Sequence, residues 1–128
     1  MSSRSITISI DVTRSPRVTL ELNSASEFLK CIESEGYSPL DLYETKTILE
    51  NFDEYFRLAK KKFQDYIVPA RDPKEVVEGK SIVHKVRLIV ENGSKMVEFV
   101  LDRRVDLEKI KNCLLKIGFN EVVIIESL

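Results

Sequence analysis

The chain has no tryptophan, one histidine, one glutamine, two cysteines and four glycines in 128 residues. Each scarcity excludes something. With His84 as the single imidazole, and with Cys31 and Cys113 far apart and no C-x-x-C, the usual zinc-ligand spacings are missing. No metal and no cofactor is therefore expected. The four glycines form no G-x-G-x-x-G and no Walker loop, and each falls at a turn, a helix end or a loop. Catalysis needs convergent groups, a nucleophile near a base or paired carboxylates, and none is visible. Any Ser–His or Cys–His arrangement would have to use His84, which falls on the apolar face of a strand and reads as a packed or edge residue.

An excess of one charge is missing too. Twenty basic against twenty-one acidic residues give a net charge of −1, so no global field draws in nucleic acid or an anionic membrane. The apolar runs are far shorter than a membrane span. Met1 to Ser5 is polar and Ile6 to Val12 alternates, which is no signal-peptide core. A cytoplasmic protein is expected. What is present is a 43% apolar, 32% charged composition, enough for one domain over residues 1–128 to bury its own core. A single Gln64 among many Glu, Lys and Arg matches the usage of a thermophile.

Ile6, Ile8, Ile10 and Val12 alternate with polar residues, as do Val18, Leu20 and Leu22. Matching their apolar faces sets Val12 across from Val18 and Ile10 across from Leu20, with Thr13 to Arg17 as the loop. Ser24 and Glu27 form a capping box for a helix carrying Phe28, Leu29 and Ile32, closed by Gly36. Ser38 and Pro39 open a further helix, with a bend expected near Thr45. A long amphipathic helix over about 46–68 follows, since Ile48, Phe52, Tyr55, Phe56, Ala59, Phe63 and Tyr66 share one stripe. Lys60, Lys61 and Lys62 lie outside that stripe, so this basic, aromatic stretch is the solvated side of a core helix and no stacking platform. Phe56→Ala and Phe63→Ala should then each cost about 3 to 5 kcal/mol.

Pro69 ends that helix, and Asp72 with Pro73 caps one further turn. Asn92-Gly93 is the strongest short hairpin signal in the chain. It pairs Val90 with Lys95, Leu88 with Val97, Val86 with Phe99 and His84 with Leu101 on the core face. Arg87 then meets Glu98 and Ile89 meets Met96 on a mixed face that an element or a second subunit should cover. Asp106 caps the last helix, with Leu107, Ile110, Leu114 and Ile117 inward and Gly118 at its end. The run Val122 to Ile125 reads as a strand buried on both faces. These elements define an α+β fold: two β-hairpins plus a C-terminal strand in an antiparallel or mixed sheet, in the order ββα(α)ββαβ, with helices mainly on one face.

Two segments, 5–37 and 82–119, align as ββα units with the long helix between them. Phe28, Cys31, Ile32, Gly36 and Tyr37 fall on Ile110, Cys113, Leu114, Gly118 and Phe119. The cysteines then occupy equivalent small positions, and packing explains them more cheaply than redox chemistry.

The C-terminal pattern K-I-K-N-C-L-L-K-I-G-F-N-E-V-V-I-I resembles the closing helix-strand unit of many small α+β domains, ferredoxin-like ones included. In composition and strand pattern the whole chain resembles the short proteins of unknown function of thermophilic archaea. Neither resemblance implies an activity or a site. A non-enzymatic protein-interaction module is expected, forming a homodimer through Ile89, Met96 and Val100 or through the strand Ile6 to Val12 as a sheet edge. The alternative is a nucleic-acid or anion-binding accessory protein. If both hairpins point the same way, Arg4, Arg71, Lys80, Arg103 and Arg104 gather at one end of the sheet. Asp72, Asp102 and Asp106 interleave with them, so mutual ion pairing is the plainer reading. The most distant alternative is a small-molecule site or enzyme around His84.

Overall fold

The computed structural model describes residues 4–36 and 38–127. Among them five strands and five helices follow in the order β1 (Ser5–Ile10), β2 (Pro16–Glu21), α1 (Leu22–Ser34), α2 (Leu40–Glu50), α3 (Phe52–Lys61), α4 (Pro73–Val77), β3 (Val83–Glu91), β4 (Ser94–Leu101), α5 (Leu107–Lys116) and β5 (Glu121–Glu126). The strands form one mixed sheet in the order β3-β4-β2-β1-β5, with only β5 parallel to its neighbour. This is the expected α+β architecture. Ile6, Ile8, Ile10, Val18, Leu20, Val86, Val97 and Phe99 line one sheet face, against which α1, α2 and α5 bury Phe28, Leu29, Ile32, Leu42, Ile110 and Leu114.

The hairpin at Asn92-Gly93 pairs as its turn dictates, from Glu91 with Ser94 through Val86 with Phe99. Near its open end a bulge intervenes. Val83 lies across from Leu101 and Lys85 across from Val100, so His84 is the extra residue and leaves the apolar face. The first hairpin pairs Ser9 with Arg17 and Ile10 with Pro16, so the partner of Ile10 lies four residues from the expected Leu20. A slip by an even number of residues keeps every side chain on its face, which is why the alternation survives while Val12 becomes a solvent-exposed loop residue.

Several helix ends depart from the local signals. α1 continues directly out of β2, so Ser24 and Glu27 lie inside the helix and no side chain caps it. Pro39 precedes α2, and its first free amide, on Leu40, donates to the carboxylate of distant Glu75 at 2.9 Å. α2 runs through Thr45 without a break. The bend comes at Asn51, which leaves helical geometry (φ −118°, ψ 41°) and whose side-chain amide joins its backbone N–H on the Thr47 carbonyl, at 2.9 and 3.2 Å. The expected 46–68 helix is thus two helices, and the second stops early. Gln64 N–H donates to Ala59 C=O (2.9 Å) and Phe63 N–H to Lys60 C=O (3.1 Å), a Schellman closure with Phe63 in the left-handed position at φ 56°. Phe63 is 97% exposed and no core residue; Phe52 is buried and Tyr55 and Phe56 are half-buried, while Lys60 to Lys62 face solvent as expected.

The pairing of β2 with β4 sets Val18 across from Phe99, Thr19 across from Glu98 and Leu20 across from Val97. This is the register that a twofold relation between the two ββα units requires, because Val18 aligns with Val97 and Leu20 with Phe99. The hairpins consequently point in opposite directions. α1 and α5 lie side by side, and the aligned Cys31 and Cys113 are joined in a disulfide with Cα atoms 5.7 Å apart. Packing alone is therefore not their role. Tyr37, aligned with Phe119, lies outside the described residues.

One buried polar contact had no sequence signature. Asp41, in the first turn of α2 and 0% exposed, accepts hydrogen bonds from Ser81 Oγ (3.0 Å), Ile82 N–H (2.8 Å) and Val83 N–H (2.6 Å), pinning α2 to the start of β3. Asp41→Ala would strand three buried donors and should cost about 3 kcal/mol or more in denaturant unfolding. In the same assay Phe63→Ala should change stability by less than about 0.5 kcal/mol, and Phe63→Gly should stabilise by about 1 kcal/mol by relieving a left-handed aromatic residue.

Candidate functional site

The five expected basic residues do not converge. Arg4 is at the opposite end of the sheet from the others, a direct result of the opposed hairpins; its amide donates to Asn120 Oδ1 at 2.8 Å and its guanidinium sits 4.4 Å from the Phe119 ring centre. Arg71 donates to the His84 carbonyl, which the bulge frees from the ladder, and lies 3.1 Å from His84 Nδ1. Lys80 pairs with Glu78 at 2.7 Å. Arg104 pairs with Asp102 at 3.2 Å and donates to the Val76 carbonyl at 2.7 Å, which ties the end of β4 to α4. Arg103 is exposed beside it. Only Lys80 and Arg104 share a cavity, about 100 Å³, with Cys113, Asp106 and Lys109 also in its wall.

The mixed sheet face is covered from within the chain. After α3 the chain returns along the outer edge of β3, where Ile67 and Val86 exchange two backbone hydrogen bonds (2.7 and 2.9 Å). The neighbouring Tyr66 then lies over the sheet. Its hydroxyl donates to Glu98 Oε1 at 2.7 Å and accepts from Arg17 Nη1 at 3.1 Å, and Lys85 Nζ sits 4.3 Å from its ring centre. Burial, and next the Glu98 carboxylate, push the Tyr66 phenol above its ordinary value, so it stays a donor. The expected Arg87–Glu98 pair is present at 3.4 Å. Of the three interface residues inferred from sequence, Val100 is 1% exposed, while Ile89 and Met96 are half-buried.

β1 is no edge strand, since it lies between β2 and β5. The outer strands are β3 and β5. Val122 and Val123 are half-buried, and Ile124 and Ile125 are 41% and 51% exposed, so the run expected to be buried on both faces is instead a rim. Glu121 and Glu126 were the available signal: charges that bracket an apolar strand are characteristic of edges. Glu121 N–H donates to Arg4 C=O at 3.3 Å and Ser127 N–H to Ile10 C=O at 2.8 Å, both toward β1. By the two-residue period of a strand, the backbone groups of Val122, Ile124 and Glu126 face outward, unpaired. The edge of β3 is bridged by Ile67 at Val86 alone, while nothing among the described residues pairs with the outer side of β5.

Comparison with protein-family models, with curated proteins and with solved structures gives no match for this chain. Among the described residues no helix is long and apolar enough to cross a membrane.

His84 titrates below its ordinary value of 6.5. Burial is the main cause, followed by the charges of Arg71 and Lys85, and Asp102 only partly offsets them. The unfolded chain binds the proton near pH 6.5 and the folded chain only lower, so stability is complete above 6.5 and falls as pH drops toward the folded value. In melting temperatures recorded against pH, His84→Gln should flatten the decline between about pH 7 and pH 5. An unchanged slope in the variant would remove His84 as its source.

Proposed function

We propose that the protein is a non-enzymatic assembly module that forms a homodimer by pairing β5 of one copy with β5 of another. The free apolar edge of β5 carries this reading. A twofold axis normal to the sheet preserves faces, so residues pair only with residues of like parity along the strand. Glu121 and Glu126 differ in parity and never oppose one another in such a dimer. Val122 meets Ile124, or Ile124 meets itself, and the outward amides and carbonyls of both copies are satisfied. Ile89 and Met96 remain on the other side of the sheet, away from this contact.

The reading places the protein in the cytoplasm of a thermophilic archaeon. Intracellular disulfides are rare in mesophiles and common in hyperthermophilic archaea. The Cys31–Cys113 bond and the charged, glutamine-poor composition support that setting together.

Light scattering on the eluting protein should give a mass near twice 14.8 kDa. Ile124→Pro removes an outward N–H without touching the β1 ladder, so it should give a folded monomer with little change in melting temperature. A wild-type chain that runs as a monomer, or a proline variant that remains dimeric, would remove β5 as the interface.

A further inference from the structure

The Cys31–Cys113 disulfide has a third group beside it. Sγ of Cys31, Sγ of Cys113 and a carboxylate oxygen of Glu35 all lie within 4.8 Å of one another. Cys31 and Glu35 are one helical turn apart, and the closing turn of α1 holds them in place: Glu35 N–H donates to the Cys31 carbonyl at 3.2 Å, and Ser34 Oγ donates to the same carbonyl at 2.6 Å. Cys113 comes from α5, which lies alongside α1 with the two Cα atoms 5.7 Å apart. Two thiols and one carboxylate are the donor types that borderline divalent cations such as Zn²⁺ select.

We propose that, once the disulfide is reduced, Cys31, Cys113 and Glu35 form a redox-gated site for Zn²⁺ or a similar borderline divalent cation. With Zn–S bonds of about 2.3 Å in a tetrahedron, the sulfurs need to stand roughly 3.8 Å apart. Side-chain rotation after cleavage supplies that separation while α1 and α5 stay where they are. The cavity of about 100 Å³ bounded by Ile32, Glu35, Ile110 and Cys113 gives the fourth position room for water or a small ligand. Two thiolates and a carboxylate carry three negative charges against two on the metal. Lys116, 2.8 Å from Glu35, supplies the remaining positive charge, and Lys109, whose charge also acts on Glu35, favours the thiolate forms once the bond opens.

The chemistry balances with a thiol or phosphine reductant from outside. A dithiol gives up two electrons and two protons and becomes a cyclic disulfide, or a phosphine takes the oxygen of one water and becomes a phosphine oxide while that water's two protons go to the sulfurs; either way the Cys31–Cys113 bond becomes two thiols. Metal binding then releases the two thiol protons. The oxidised chain has no thiolate to offer, which is the gate.

The test uses the full chain reduced with a trialkylphosphine, desalted without oxygen and titrated with Zn²⁺ by calorimetry. A parallel titration with Cd²⁺ is followed by the ultraviolet thiolate-to-metal charge-transfer band. One equivalent should bind to the reduced protein and none to the oxidised protein. Cys113→Ser should abolish the band. Because Cys113 is buried and its variant could fold poorly, Glu35→Gln, at a half-buried position paired with Lys116, is the second arm: it should lower melting only slightly and weaken Zn²⁺ by about tenfold or more, since even outer-shell partners of metal ligands cost that much. No binding to the reduced chain, equal binding to the oxidised chain, or a Glu35→Gln affinity equal to the wild type would each overturn the site.

Discussion

Because Val18 lies across from Phe99 and Leu20 across from Val97, two separate hairpins become one sheet, and the placement of nearly every other element follows from that antiparallel contact. It sets the hairpins pointing opposite ways, so their turns, and the loops at their open ends, occupy both ends of the sheet. It also brings α1 and α5, each leaving the sheet after an equivalent strand, side by side on one face. Only then do Cys31 and Cys113, 82 residues apart in sequence, come within bonding reach. In the chain-entropy description a loop of that length is worth about 4 to 5 kcal/mol once closed. The bond thus locks the relation between the two halves that strand pairing creates.

Polar side chains take over where the apolar pattern is weak. α2 buries Leu42, Ile48 and Leu49 together with the polar Asp41 and Thr45, and it is held also by Asp41 beneath it and by Glu75 at its first turn. Tyr66, Arg17, Glu98 and Lys85 do the same work on the opposite sheet face, where the returning chain after α3 lies. Arginines that look in sequence like an anion site are here fastening loops: Arg71 to the bulge at His84, Arg104 to α4. Ile67 bridges the edge of β3 at Val86, whereas the opposite edge, β5, has no such bridge among the described residues and sets backbone groups and apolar side chains against solvent together. The edge and the cysteine pair lie on different parts of the molecule, so assembly and the thiol chemistry proposed for α1 and α5 can be tested separately.

The strand faces, the Asn92-Gly93 register, the Asp106 and Asp72 caps, the left-handed closing glycine at position 36 and the solvated lysines at 60 to 62 were all legible in the sequence. They rest on periodicity, turn chemistry or capping, which act over a few neighbouring residues and so leave their mark locally. The Ser24 box and the 46–68 helix were misread because a local signal was allowed to outvote the surroundings. At Ser24 the helix had already begun from the strand, and at Asn51 the backbone leaves helical geometry with the side chain added to the Thr47 carbonyl.

What only the tertiary structure decided are the matters that depend on distance through space: the opposed hairpins, the dispersal of Arg4 from Arg71 and Arg104, the burial of Asp41, the cysteine pairing, and the choice of β5 over β1 as the edge. An apolar run such as Val122 to Ile125 has the same composition whether one neighbouring strand or two will satisfy it. Sequence determined which faces are apolar and where the chain turns, because those are properties of adjacent residues; which surfaces were left uncovered was settled by strand order, because a backbone edge is open or closed only by what the rest of the chain places beside it.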